Sequence, residues 1–280
     1  MKQYPTIPLL DDAPGLLDGG HLWVQELIDG SLLRFTVADD GTLAFGDSQR
    51  TFDDDPPLSL RLGIRHVRES LDWETLYADA TDPSAVTFFG VAPRFETVDY
   101  DWERIPAFLG TDVWTDEREA FLPPDAVERV YEGLGLRPIT VLQKELPVRD
   151  FDADTYEIPQ SAWDDGPAKG VVLRTKQGDR AKLQADDLPS EDHPGADVPT
   201  EPDAIVERYL TDDLLARVAD TLRSDDEYAD AEMVHERALE TVAREHYREL
   251  DRAGIELDTR AVRTAARERV RSWLDARPKR

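Results

Sequence analysis

Two rows of arginine are the first residues in this 280-residue chain whose type and spacing suggest chemistry. Arg61, Arg65 and Arg68 fall at i, i+4 and i+7 of a predicted helix and so share a face. Arg260, Arg263, Arg267 and Arg271 form a similar row near the end of the chain, opposite Val262, Val270 and Trp273. Such rows track a nucleic-acid backbone by neutralising successive phosphates; they equally pair with carboxylates, which are abundant here. Asp99 and Asp101 flank Tyr100 in a position to face a pocket, with no acid or base role assigned to either. Asp53-Asp54-Asp55 offers the oxygen donors of a calcium site but lacks the glycine and closing glutamate of a known loop, and reads as a solvated turn. The five histidines (His21, His66, His193, His235, His246) are dispersed without metal-ligand spacing, so no metal site is expected. No serine or threonine sits in a nucleophile elbow. With no cysteine, disulfides and thiolate metal sites are excluded.

The elements that must position such residues separate into two parts. Over residues 1–185, short apolar segments alternate with turns. His21 to Gln25, Leu32 to Val37, Ala85 to Phe89, Phe108 to Trp114, Ile139 to Leu142 and Gly170 to Leu173 read as strands. One helix is predicted near Pro57 to Leu71, with Leu60, Ile64, Val67 and Leu71 on its buried face. A second follows Pro123-Pro124-Asp125, where Asp125 is placed to cap the helix carrying Val127, Val130 and Leu134, and Gly133 or Gly135 ends it. Residues 186–203 form an acidic, Pro-rich linker with four prolines, seven acids and no Lys or Arg. Residues 204–280 then read as three amphipathic helices, Ala204 to Arg223, Glu227 to Leu250 and Asp258 to Arg277. The expected fold class is α+β, with mostly antiparallel sheets and flanking helices, followed by a small all-α domain.

Several short motifs, in order, resemble those of the RNA ligase family, of the type that seals nicks in double-stranded RNA. Tyr4-Pro5-Thr6-Ile7 is similar to the family's opening Lys-Tyr-Pro-Ser-Ile. Leu22 to Phe35 surrounds Glu26-Leu27-Ile28-Asp29-Gly30, which resembles the Lys-x-Asp-Gly of covalent nucleotidyltransferases. Phe88-Phe89-Gly90, Val98-Asp99-Tyr100-Asp101-Trp102, Phe108-Leu109-Gly110-Thr111-Asp112-Val113, Gly170-Val171-Val172-Leu173-Arg174 and Arg180-Ala181-Lys182-Leu183 follow at the expected strand ends. The resemblance implies a ligase-type nucleotidyltransferase domain that uses ATP and Mg²⁺ to join an RNA 5′-phosphate to a 3′-hydroxyl. In the family a motif lysine attacks the α-phosphate and carries AMP.

This chain departs from that pattern at the chemistry. The nucleophile slot is Leu27, which cannot attack phosphorus. The ribose-contacting glutamate of Phe-Gly-Glu corresponds to Val91, the base-stacking aromatic to Thr111, and the Asn after Lys-x-Asp-Gly to Leu32. The glutamate of Glu-Gly-x-Val corresponds to Lys169, a cation where the metal environment calls for oxygen. Glu26, Asp29, Gly30, Arg34, Asp112, Arg174, Lys176, Arg180 and Lys182 remain. Lys182 matches the family lysine that contacts the α-phosphate. These survivors imply a cationic floor for a phosphate, a nucleotide or an RNA end, or pairs with local carboxylates.

Three readings follow. The leading one is a catalytically degenerate RNA-end- or nucleotide-binding protein, acting beside a protein partner. The second is an active ligase whose displaced nucleophile is Lys169, which requires Lys169 to share a pocket with Lys182. The third is an interaction scaffold in which Leu27, Val91 and Thr111 fill the old pocket. A formal net charge of -27 spread over a chain that is 40% hydrophobic fits a haloarchaeal-like, salt-adapted protein, since molar salt shortens the Debye length to ~3 Å. No membrane span or signal peptide is read, and a cytoplasmic location is expected.

Overall fold

A computed structural model describes residues 1–53, 55–79, 82–185, 198–224 and 230–276. Asp54, His193 and most of the expected linker lie outside the described residues. The described residues of 1–56 and 63–190 form one compact unit, and those of 57–62 and 191–280 a second.

The first unit contains two antiparallel sheets. One joins β1 (His21–Glu26), β7 (Val141–Pro147), β8 (Gly170–Arg174) and β9 (Arg180–Gln184) in the order β7-β1-β8-β9. The other joins β2 (Gly30–Val37), β3 (Leu43–Gly46), β4 (Val86–Pro93), β5 (Leu109–Thr115) and β6 (Ala120–Phe121) in the order β3-β2-β4-β5-β6. The period-two pattern that predicts these strands also sorts their faces. In β2, Leu33, Phe35 and Val37 are buried on one face, and Phe35 stacks on Phe88 of β4 at 4.8 Å between centroids. The helices of this unit are the later turns of α1 (Leu58–Ser70), α2 (Trp73–Asp79) and α3 (Pro124–Gly133). The predicted stripe Leu60, Ile64, Val67 and Leu71 is buried throughout.

Local details differ from the sequence reading for identifiable reasons. Asp125 does not cap α3: Pro124 occupies the first turn, where a missing N–H costs nothing, and Asp125 instead pairs with Arg129 at 3.3 Å. β3, β6 and β9 escape the apolar pattern because two are very short and β9 alternates Arg180, Lys182 and Gln184 with Ala181 and Leu183.

The second unit packs α4 (Pro202–Tyr209), α5 (Asp212–Ser224), α6 (Ala231–Glu245), α7 (Tyr247–Arg252) and α8 (Arg260–Ala276) around Val206, Leu215, Leu239, Val262 and Trp273. Two of the three predicted helices are interrupted. Thr211 starts α5 afresh, its hydroxyl accepting the Leu214 N–H at 3.2 Å, a cap that the long amphipathic pattern conceals. His246, with non-helical dihedrals, separates α6 from α7. Asp230 caps α6 through the Met233 N–H at 2.8 Å.

Candidate functional site

The end of β1 is built around Asp29, whose side chain is fully buried. Its Oδ2 accepts the backbone N–H groups of Thr97 at 2.5 Å and Val98 at 2.7 Å, and its Oδ1 accepts the Thr97 hydroxyl at 3.3 Å and the Lys169 ammonium. The Asp29 N–H donates to the Tyr100 hydroxyl at 2.8 Å. Burial above all, then the Asp29 charge, raises the Tyr100 pKa, so the hydroxyl stays neutral. Gly30 is required sterically: a Cβ there would collide with the Ala92 carbonyl oxygen. Both residues of the surviving Asp-Gly therefore have structural work.

Lys169 precedes β8 and holds Asp29, with Glu96 3.7 Å away; Glu96 in turn pairs with Arg94 at 2.7 Å. Both Asp29 oxygens already have donors and Glu96 has two cations, so this donor set does not fit a divalent ion. In the β8–β9 register Lys182 lies opposite Val172, and Val172 opposite Gln25 of β1. Lys169, one residue before β8, ends at Asp29. Leu27 is half-buried, and its N–H donates to the Gly170 carbonyl at 3.0 Å.

Glu26 is buried and accepts the Ser161 hydroxyl at 2.6 Å and the Ala162 N–H at 3.3 Å. Burial raises its pKa, opposed by those bonds. Val91 lies opposite Leu32 across the β2–β4 pair and packs against a cluster that includes Ile28, Tyr100 and Trp163. Thr111 stands at a bulge: Phe89 pairs with Asp112 and Gly90 with Gly110, leaving Thr111 unopposed. Its hydroxyl donates to the Phe89 carbonyl at 3.2 Å.

Asp112 is the second centre, and it holds Arg174 and Arg180 of the expected cationic floor. Its Oδ1 accepts Arg174 Nη2 at 2.5 Å, and its Oδ2 accepts Arg180 Nη1 at 2.7 Å and the Tyr4 hydroxyl. Arg174 also donates to the Thr111 carbonyl at 2.9 Å. Burial lowers the Arg180 pKa, but Asp112 and Tyr4 outweigh it and leave it raised; burial raises that of Tyr4. Arg34, buried and with its pKa lowered by desolvation, donates to the Lys2 carbonyl at 2.6 Å. Lys176 pairs with Glu145 at 2.8 Å. Lys182 donates its backbone N–H to the Pro8 carbonyl at 2.9 Å, while its ammonium has no hydrogen-bond or ion-pair partner among the described residues. The N-terminal segment thus reaches both sheets, through Lys2, Tyr4 and Pro8. Tyr4 was visible in the sequence only as part of an opening motif. The bonds of Thr97 to Asp29 and of Ser161 to Glu26 carry no local signal, because the partners lie 68 and 135 residues away in the chain.

The arginine rows divide. Arg61 pairs with Asp258 at 2.8 Å, and Arg68 lies 5.2 Å above the Phe45 ring, with Arg65 half-buried. Arg263 holds Asp258 at 2.6 Å and also Glu236, and Arg267 holds Glu232 at 2.8 Å. Arg260 and Arg271 are exposed without an ion pair among the described residues. Glu232, His235 and Glu236 place ligand-type atoms within 4.8 Å of one another, at an i, i+3, i+4 spacing not singled out above, but both carboxylates already bind arginine. Asp99 is exposed and accepts the Trp102 indole N–H at 2.7 Å. Asp101, also exposed, lies 3.8 Å from Arg104.

No family model matches the sequence, and no curated protein matches it. Among solved structures, the chain is similar to a mutant RNA ligase of Naegleria gruberi bound to ATP and Mn, at 14% identity and a TM-score of 0.50. That match covers 66% of this chain and 56% of the ligase, so the chain spans little more than half of that protein. An archaeal ATP-dependent RNA ligase aligns over 100% of this chain and 84% of its own, at 12% identity and a TM-score of 0.48. Two antiparallel sheets with flanking helices, matched over two thirds of the chain to the Naegleria enzyme, give this protein the nucleotidyltransferase fold of RNA ligases.

Proposed function

We propose that this protein binds RNA 5′-phosphate ends or a nucleotide without covalent transfer, as a non-catalytic relative of ATP-dependent RNA ligases of the type that seals double-stranded RNA. The observation that carries this reading is the state of its lysines. Leu27 stands where the attacking amine belongs, and Lys169 donates to Asp29, the opposite of the lone-pair role that attack on phosphorus requires. The open ammonium of Lys182 beside Val172 and Gln25 supports phosphate binding, since the neighbouring arginines are already held by Asp112. Among the described residues of the proposed helical domain, 204–280, Arg260 and Arg271 are arginines left for a phosphate backbone. The proposed setting is a salt-rich cytoplasm, where a charge of -27 is screened, and the proposed role is support of an active partner enzyme.

The test is adenylylation in KCl at about 1 M, a strength that screens the self-repulsion. The protein is incubated with radiolabelled ATP and Mg²⁺ or Mn²⁺ and then denatured, and binding to 5′-phosphorylated RNA is measured in parallel. No covalent label, with RNA binding weakened by Lys182→Ala, is the expected result. A label lost in Lys169→Ala would overturn the reading in favour of a displaced nucleophile. Absence of both label and binding would favour an interaction protein, a reading that the apolar packing of Val91 and the inward hydrogen bond of Thr111 also support.

A further inference from the structure

The four-stranded sheet has two unlike faces. On one, Leu22 and Val24 of β1, Val171 and Leu173 of β8 and Ala181 of β9 belong to an apolar cluster. On the other, direct pairing aligns Trp23 with Arg174 and Arg180, and Gln25 with Val172 and Lys182. Arg174 and Arg180 donate to Asp112 of the five-stranded sheet, so this second face turns toward that sheet. Lys182, Val172 and Gln25 therefore form one row across β9, β8 and β1, its ends two strand spacings, or about 10 Å, apart.

Gln25 is the anomaly in that row. It is 4% exposed, and its side-chain amide has no hydrogen-bond partner among the described residues, yet neither amide atom is sealed from solvent. A donor and an acceptor are thus left for a ligand. The other end of the row is the open Lys182 ammonium, and the buried Val172 between them gives an apolar floor.

Such a row fits the sugar of a nucleotide better than its base. A base needs a ring to stack on, and Thr111 supplies none. Trp23, the neighbouring ring on β1, already carries the Lys144 ammonium 5.1 Å from its centre and donates to Glu145 at 2.9 Å. Phe89, beside Asp112 on the facing sheet, packs on Tyr4 at 5.0 Å. A ribose hydroxyl both donates and accepts, as an amide does, and within an RNA strand the 2′-hydroxyl is the one left unesterified.

We propose that Gln25 hydrogen-bonds the 2′-hydroxyl of the nucleotide whose 5′-phosphate Lys182 holds, and so makes the site selective for RNA over DNA ends. This rests on the reading of Lys182 as a phosphate-binding group and adds the chemical class of the end that is bound.

Three 3′-labelled strands are titrated with the full chain in concentrated KCl and followed by fluorescence anisotropy: a 5′-phosphorylated RNA, the same strand with a 2′-deoxy terminal nucleotide, and the same strand without its phosphate. The RNA end is expected to bind about three- to tenfold tighter than the deoxy end, the worth of one net hydrogen bond. Gln25→Met, similar in length and without the amide, abolishes that difference and leaves binding of the deoxy end unchanged, whereas Lys182→Ala weakens both ends alike. Equal affinity for the two ends in the unmodified protein, a comparison that needs no variant, overturns the proposal, as does a difference that persists in Gln25→Met. Affinity that does not depend on the 5′-phosphate would instead overturn the phosphate reading itself, and the third strand shows that separately.

Discussion

Asp29 accepts two backbone N–H groups, a hydroxyl and an ammonium, and in doing so fixes residues 96–98 against the end of β1. Removing the ammonium in Lys169→Ala leaves a buried carboxylate that retains its other donors, so a loss of about 1–3 kcal/mol is expected in urea unfolding. Asp112 is the carboxylate paired with both of two buried guanidinium groups, whose other partners among the described residues are uncharged. Asp112→Ala strands both, and a larger cost of about 3–5 kcal/mol should follow. Comparable losses in the two variants would show that Arg174 and Arg180 find other partners. Glu26 tests the sign of a burial effect. Its folded pKa lies above the ordinary 4.5, so its contribution to stability is complete below that value and is lost as pH rises through the raised one. Stability measured from acid to neutral pH should therefore show a downward component that Glu26→Gln abolishes; identical profiles would contradict it.

At the scale of elements, strand alternation and helical stripes were legible because burial acts on one face at a time. The stripe Leu60, Ile64, Val67 and Leu71 illustrates this. Breaks were less legible: the amphipathic pattern runs through Thr211, while a single hydroxyl cap restarts the helix there. Of the candidate site, the Asp-Gly turn could be read from the chain, and its steric reason could not. Gly30→Ala forces a Cβ into the Ala92 carbonyl and should cost about 2–4 kcal/mol. At Gly178, φ is +101° and an added Cβ would meet no atom within 4 Å. Gly178→Ala therefore meets only the backbone penalty and should cost about 1 kcal/mol. Equal effects in thermal unfolding would argue that the β2–β4 contact at Gly30 relaxes.

For the whole molecule, the dominant physical fact is a formal charge of -27. Self-repulsion acts over a Debye length of ~10 Å at 0.1 M salt and ~3 Å at 1 M. Raising KCl across that range should raise the thermal midpoint, and the gain should fall off once the Debye length is shorter than the spacing between surface carboxylates. A midpoint independent of salt would mean that the pairs described above already neutralise the repulsion locally. The same screening weakens any counterion-release gain on RNA, so binding of a 5′-phosphate end should depend more on Lys182 than on ionic strength.

Composition and periodicity determined the α+β class and the places of the main strands. These properties depend on near neighbours and on which face is wet. Tertiary structure alone decided how the surviving polar residues are used. Lys169 finds Asp29 across 140 residues of chain, and Arg180 finds the Tyr4 hydroxyl across 176. Such pairings follow from sheet register and from where loops close, which no local pattern encodes, and they turn an expected cationic floor into internal ion pairs and hydrogen bonds, with Lys182 left open among the described residues.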